Sequence, residues 1–137
     1  MAEKFLVEIL TPERSFFCDS IESIIFPTDD GRMSIHAGHE SIVAMIVPGE
    51  VKLNTGKKRL MCSVAEGFLE VRPDETIMFT QAAEWPDEID VKRAQRAKER
   101  AEERLRQKRS AEEYRRNKIA LARAMARLSV TKRKTTL

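Results

Sequence analysis

Ala83-Glu-Trp-Pro-Asp-Glu-Ile-Asp-Val-Lys-Arg-Ala94 is the stretch where the chain changes character. All five prolines (12, 27, 48, 73, 86) and all five glycines (31, 38, 49, 56, 67) lie at or before Pro86. From 87 to 137 there is neither, and Ala, Glu, Lys, Arg and Leu dominate. Such a composition is helical by propensity and by lack of breakers. Charge divides at the same place. Residues 1–86 carry 8 Lys+Arg against 14 Asp+Glu, a net of −6, and residues 87–137 carry 17 against 8, a net of +9. The chain therefore reads as two domains, 1–86 and 87–137.

Working back from the break, the first part reads as strands. Phe5-Leu-Val-Glu-Ile-Leu10, Ile21-Glu-Ser-Ile-Ile-Phe26, Ile42 to Val47, Val51-Lys-Leu53, Leu60 to Val64, Phe68-Leu-Glu-Val71 and Thr76-Ile-Met-Phe-Thr80 are short and rich in β-branched or aromatic residues. Thr11-Pro-Glu, Pro27-Thr-Asp-Asp-Gly31, Pro48-Gly49, Asn54-Thr-Gly56 and Arg72-Pro-Asp-Glu75 separate them with turn chemistry. Short strands at this spacing, without helices between them, predict a β-sandwich or small barrel.

Working forward, two helices are predicted rather than one. Pro86 and the acidic residues after it suit a helix start. Ser110-Ala-Glu-Glu113 has the form of a capping box, a second start. The first helix is predicted over about 89–108, with a thin stripe of Ala94, Ala97, Ala101 and Leu105. The second is predicted over about 111–129, with Tyr114, Leu121, Met125 and Leu128. Small residues facing larger ones suit an antiparallel hairpin. The expected fold class is α+β: an N-terminal antiparallel β-sandwich followed by a C-terminal two-helix hairpin.

Catalytic chemistry is hard to find. There is no nucleophile elbow and no Cys-x-x-Cys. Six residues separate Gly49 from Gly56-Lys57-Lys58 where a phosphate loop needs four. His36 and His39 lack further ligands at metal spacing, and Cys18 and Cys62 read as small hydrophobes rather than a disulfide. The longest apolar run, Ile42 to Val47, is too short to cross a membrane. No signal-peptide pattern opens the chain, so it is expected to stay where it is made. The basic tail suggests a nucleic-acid-binding or adaptor protein as an alternative class. Interleaved acids such as Glu99, Glu102 and Glu103 favour a solvated helix face instead.

Several stretches, in order and at matching spacing, carry a resemblance. They are Thr11-Pro-Glu-Arg-Ser-Phe-Phe17, Phe26-Pro-Thr-Asp-Asp-Gly-Arg-Met-Ser-Ile35 followed by His39, Pro48-Gly49, Gly67-Phe-Leu-Glu-Val-Arg-Pro73, Ala94 to Leu105, and Ala120-Leu-Ala-Arg-Ala-Met-Ala-Arg-Leu128. Together they resemble the epsilon subunit of bacterial F-type ATP synthase over nearly the whole chain. The family's usual residues are replaced at Ser34, Ser41 and Glu66; the last stands where a glycine is usual. The resemblance implies a noncatalytic central-stalk subunit that needs no cofactor. Its sandwich would join the gamma subunit to the c-ring, peripherally at the cytoplasmic side of the bacterial plasma membrane. Its helices would inhibit ATP hydrolysis by swinging, through a hinge near 106–110, from a folded hairpin to an extended form that meets the catalytic alpha and beta subunits. The +9 tail suits an acidic surface there. The interface with gamma or the c-ring is expected around Asp29, Gly31, Met33, Ile35 and His39.

The resemblance also implies a regulatory ATP site on the hairpin. Ile89-Asp90-Val-Lys-Arg93-Ala94 matches the Ile/Leu-Asp-x-x-Arg-Ala motif of the ATP-binding members, and Glu84, Arg123 and Arg127 match further positions. Arg123 and Arg127 are spaced i, i+4, so they share one helix face. Three guanidiniums suit a triphosphate, and Asp90 and Glu84 suit the adenine amino group or ribose hydroxyls.

Overall fold

The computed structural model describes residues 3–107 and 110–134, the last two by backbone alone. Its strands are β1 (Phe5–Leu10), β2 (Ser15–Ile21), β3 (Ser23–Thr28), β4 (Gly31–His36), β5 (Ile42–Ile46), β6 (Gly49–Asn54), β7 (Arg59–Val64), β8 (Gly67–Val71), β9 (Glu75–Thr80) and β10 (Ala83–Glu84). They form two five-stranded sheets, of order β2-β1-β9-β8-β5 and β10-β7-β6-β3-β4. All neighbours pair antiparallel except β1 and β9, which run parallel.

Side-chain alternation builds the core. Val7, Ile9, Leu69, Val71 and Met78 of the first sheet join Ile24, Phe26, Ile35, Val51, Leu53, Cys62 and Val64 of the second in one cluster. Cys62 is a free thiol there, and burial pushes its ionisation far above the usual range; Cys18 is free and exposed.

Three strands, β2, β4 and the two-residue β10, have no counterpart in the sequence reading. β2 and β4 are sheet edges, and each buries only one or two side chains. Edge strands tolerate polar residues, so Cys18-Asp-Ser20 and Gly31-Arg32 carry little strand signal. The predicted strand over 21–26 is two strands in fact. Ile21 ends β2 in one sheet and Ser23 opens β3 in the other, with Glu22 N–H donating to Asn54 O at 2.8 Å across the corner.

After a 3₁₀ turn at Pro86–Glu88, α1 (Val91–Arg106) and α2 (Ala111–Lys134) pack against each other. Asp90 caps α1, its Oδ1 accepting from Arg93 N–H at 3.0 Å, and Ser110 Oγ accepts from Glu113 N–H at 3.2 Å. Residues 108 and 109 of the expected hinge lie outside the described residues. The buried face of α2 differs from the predicted stripe. Tyr114 and Met125 are exposed, whereas Ala124, Ala126 and Val130 are buried. Alanines let the backbone approach its neighbours, and α2 also touches β6, β7 and the 3₁₀ turn. Burial is confined to its second half: every residue of 111–120 is exposed or half-buried.

Candidate functional site

α2 meets the β10-β7-β6 face of the second sheet through carboxylates. The Arg123 guanidinium forks onto Glu66, Nε to Oε1 at 2.8 Å and Nη2 to Oε2 at 2.6 Å. Arg127 Nε donates to Glu84 Oε1 at 2.6 Å. Ser129 Oγ donates to Glu50, a buried residue of β6 that also pairs with Arg32. Three residues in two turns of helix are thus held by three acids of the sandwich. Both arginine pairs are about one-third exposed, so each contributes modestly.

The structure brings part of the expected nucleotide set together. Glu84, Arg123 and Arg127 line one cleft with Ser63, Val64, Ala65 and Ala82, and that cleft has no volume open to a water molecule. Asp90 is engaged as the helix cap. Ile89 and Ala94 are buried and serve packing. Among the described residues, neither Asp90 nor the Arg93 guanidinium is hydrogen-bonded or ion-paired to Arg123 or Arg127. Glu66 was not read as part of this set. Its departure from the family's glycine was the available signal.

The expected interface set is divided. Asp29 lies in the exposed two-residue turn of the β3–β4 hairpin, closed by Thr28 Oγ1 donating to Gly31 O at 2.6 Å. His39 follows the other end of β4, about 17 Å of strand away. It packs its Nδ1 against Glu40 O at 2.7 Å. Met33 is half-buried against the core. Ile35 is wholly buried, so its expected interface role is corrected. β4 is a strand, and alternation turns Ile35 inward.

Sequence reasoning missed a different surface. On the outer face of the first sheet, Leu10, Phe79, Phe68 and Met45 stand side by side in register across β1, β9, β8 and β5. Phe68 stacks on Phe79 at 4.9 Å, and Met45 and Val43 are each 68% exposed. This face lies opposite the sheet that carries α2. A contiguous apolar row in water marks a contact surface.

The linker is fastened to the sandwich. Trp85 stacks on Phe16 at 4.4 Å and meets Phe17 edge-on, while Arg14 Nη2 donates to both Glu88 oxygens at 2.9 and 2.8 Å. The hydrogen bond from Arg14, and then one from Trp85 N–H, hold the Glu88 carboxyl below its usual value. A carboxylate so depressed contributes stability above its unfolded pKa of about 4.3 and loses it as pH falls through the folded value. Acidification below about pH 4 should therefore loosen this clamp. Trp85 is the only tryptophan, so its fluorescence reports the change. Glu88→Gln should lack this acid transition; an unchanged profile in the variant would place the titration elsewhere, Glu70 beside Arg72 being similarly depressed.

Comparison with known proteins follows the same division of the chain. A family model described as ATP synthase, Delta/Epsilon chain, beta-sandwich domain matches residues 4–86, and one described as its long alpha-helix domain matches residues 87–132. The ATP synthase epsilon chain of Ruminiclostridium cellulolyticum is 47% identical over 130 residues, covering 95% of this chain and 97% of that one. That of Caldicellulosiruptor saccharolyticus is 45% identical over 93% of each. In the Euglena gracilis mitochondrial ATP synthase (OSCP/F1/c-ring), a chain aligns with TM-score 0.78 at 20% identity, covering 100% of this chain and 84% of that one. A chain of the Tetrahymena thermophila mitochondrial ATP synthase central stalk and c-ring aligns with TM-score 0.63 at 13% identity, over 95% and 98%. At such identities the two structures share the fold.

Proposed function

The chain belongs to the ATP synthase delta/epsilon family, and from that premise we propose that it is a noncatalytic stalk subunit whose two sheet faces divide the work. The bare apolar row of Leu10, Phe79, Phe68 and Met45 carries this reading. It takes the gamma subunit, while the opposite sheet keeps the hairpin docked. The β3–β4 turn with Asp29 and Gly31 is left to reach the c-ring. In the assembled enzyme the chain sits peripherally, on the cytoplasmic side of the plasma membrane.

The hairpin is the regulatory part. Docked on Glu66, Glu84 and Glu50, it is kept from the catalytic alpha and beta subunits; undocked, its basic helices reach them and slow hydrolysis. ATP bound at Arg123 and Arg127 stabilises the docked form by about RT ln(1 + [L]/Kd).

Assembly tests the stalk role. Met45→Glu with Val43→Glu places two charges on this apolar face, at side chains each 68% exposed in the isolated chain. The pair should weaken capture of the chain by immobilised gamma subunit at least about a hundredfold, since buried unpaired charge costs several kcal/mol at an interface. The thermal midpoint of the free chain should hardly move. Undiminished capture would mean that gamma lies elsewhere.

A further inference from the structure

We propose that Glu66 is a built-in counter-anion that occupies Arg123 and sets how strongly this chain binds a polyphosphate. The inference rests on the nucleotide reading above and adds a residue to it. Glu66 stands in the tight connection between β7 and β8, its carbonyl accepting from Gln81 N–H at 3.1 Å and from Thr80 Oγ1 at 3.4 Å. Its backbone is therefore fixed, and its carboxylate is presented to α2 at a set position. The two-pronged contact with Arg123, at 2.6 and 2.8 Å, is the geometry a guanidinium would use on a phosphate. Glu84 does the same, with one prong, for Arg127.

Two consequences follow. The docked hairpin is liganded by its own sandwich, so it forms without nucleotide. An incoming triphosphate must displace a tethered carboxylate, whose effective concentration is high, before it gains Arg123. The closed cleft beside Glu84, Arg123 and Arg127 is the state before that displacement. Affinity for ATP is thereby lowered in this chain without any change in the arginines or in the Ile89 to Ala94 motif.

The test is calorimetric titration of the full chain with ATP and, separately, with inorganic tripolyphosphate. Glu66→Gln should bind both about tenfold more tightly than the parent, the gain of freeing one guanidinium fork. Glu70→Gln, which removes the same charge on the opposite sheet, should bind like the parent. In the Arg123→Ala background, Glu66→Gln should give no gain. Equal binding by parent and Glu66→Gln, or a gain that survives Arg123→Ala or appears in Glu70→Gln, would overturn the inference and leave the nucleotide site standing. Absence of binding in every variant at millimolar ligand would overturn both.

Discussion

Gly67→Ala should destabilise the sandwich by about 3–5 kcal/mol, a large part of the 5–15 kcal/mol typical of a folded domain. Gly67 pairs with Thr80 where β8 meets β9, inside the first sheet. A Cβ there would stand 1.9 Å from the Phe79 carbonyl oxygen and 2.8 Å from Phe79 C and Thr80 Cα. These are backbone atoms of a paired strand. They cannot turn aside as a side chain can, so β8 or β9 would have to shift and break ladder bonds. Gly38 offers the control: its φ of +79° strains a side chain, but nothing lies within 4 Å of the added atom. Gly38→Ala should cost only about 1 kcal/mol. Urea midpoints of the two variants check this directly. A Gly67→Ala midpoint no lower than that of Gly38→Ala would mean that the strands do not approach so closely.

The same glycine shows what was legible in the sequence. Gly67-Phe-Leu-Glu-Val71 carries both the strand signal and the family resemblance, because a short run rich in β-branched and aromatic residues bounded by turn residues is a local strand signature. β1 and β6 to β9 were readable on the same ground. β2 and β4 were not, since an edge strand bears few buried side chains and so little pattern. The capping residues Asp90 and Ser110 were readable as helix starts, because a cap acts on neighbours three residues away. The face α2 buries was not. Met125 looked like a core residue, yet Ala124, Ala126 and Val130 are inside, because the close approach to α1 and the sheet selects small side chains over large ones.

The site was legible only in part, for the same reason of range. Arg123 and Arg127 were placed on one helix face by their i, i+4 spacing, which is local. Their partners, Glu66 and Glu84, lie 57 and 43 residues away along the chain, and only the docking of α2 on the sheet brings them in. The row of Leu10, Phe79, Phe68 and Met45 depends on register across four strands, including the parallel pair β1–β9 that no local pattern announces.

Removing the helices should have the second large effect, on hydrolysis rather than on folding. The clamp of Trp85 on Phe16 and of Arg14 on Glu88 belongs to the sandwich side of the linker. A chain ending at Ile89 therefore keeps the sandwich, its apolar row and its anchor. What it loses is a hairpin held by two ion pairs about one-third exposed, a hydroxyl–carboxylate contact at Glu50 and a few buried small residues. Exposed pairs contribute roughly 0.2–1 kcal/mol each. A hold of that size lets docked and released forms exchange, as a regulatory element requires.

The direct measurement is the ATP hydrolysis rate of a catalytic head complex purified without this subunit, to which the full chain or the chain ending at Ile89 is returned. Both should bind the complex, and the full chain should lower the rate several-fold while the shortened one leaves it unchanged. Equal rates with the two bound chains would contradict a brake carried by the helices.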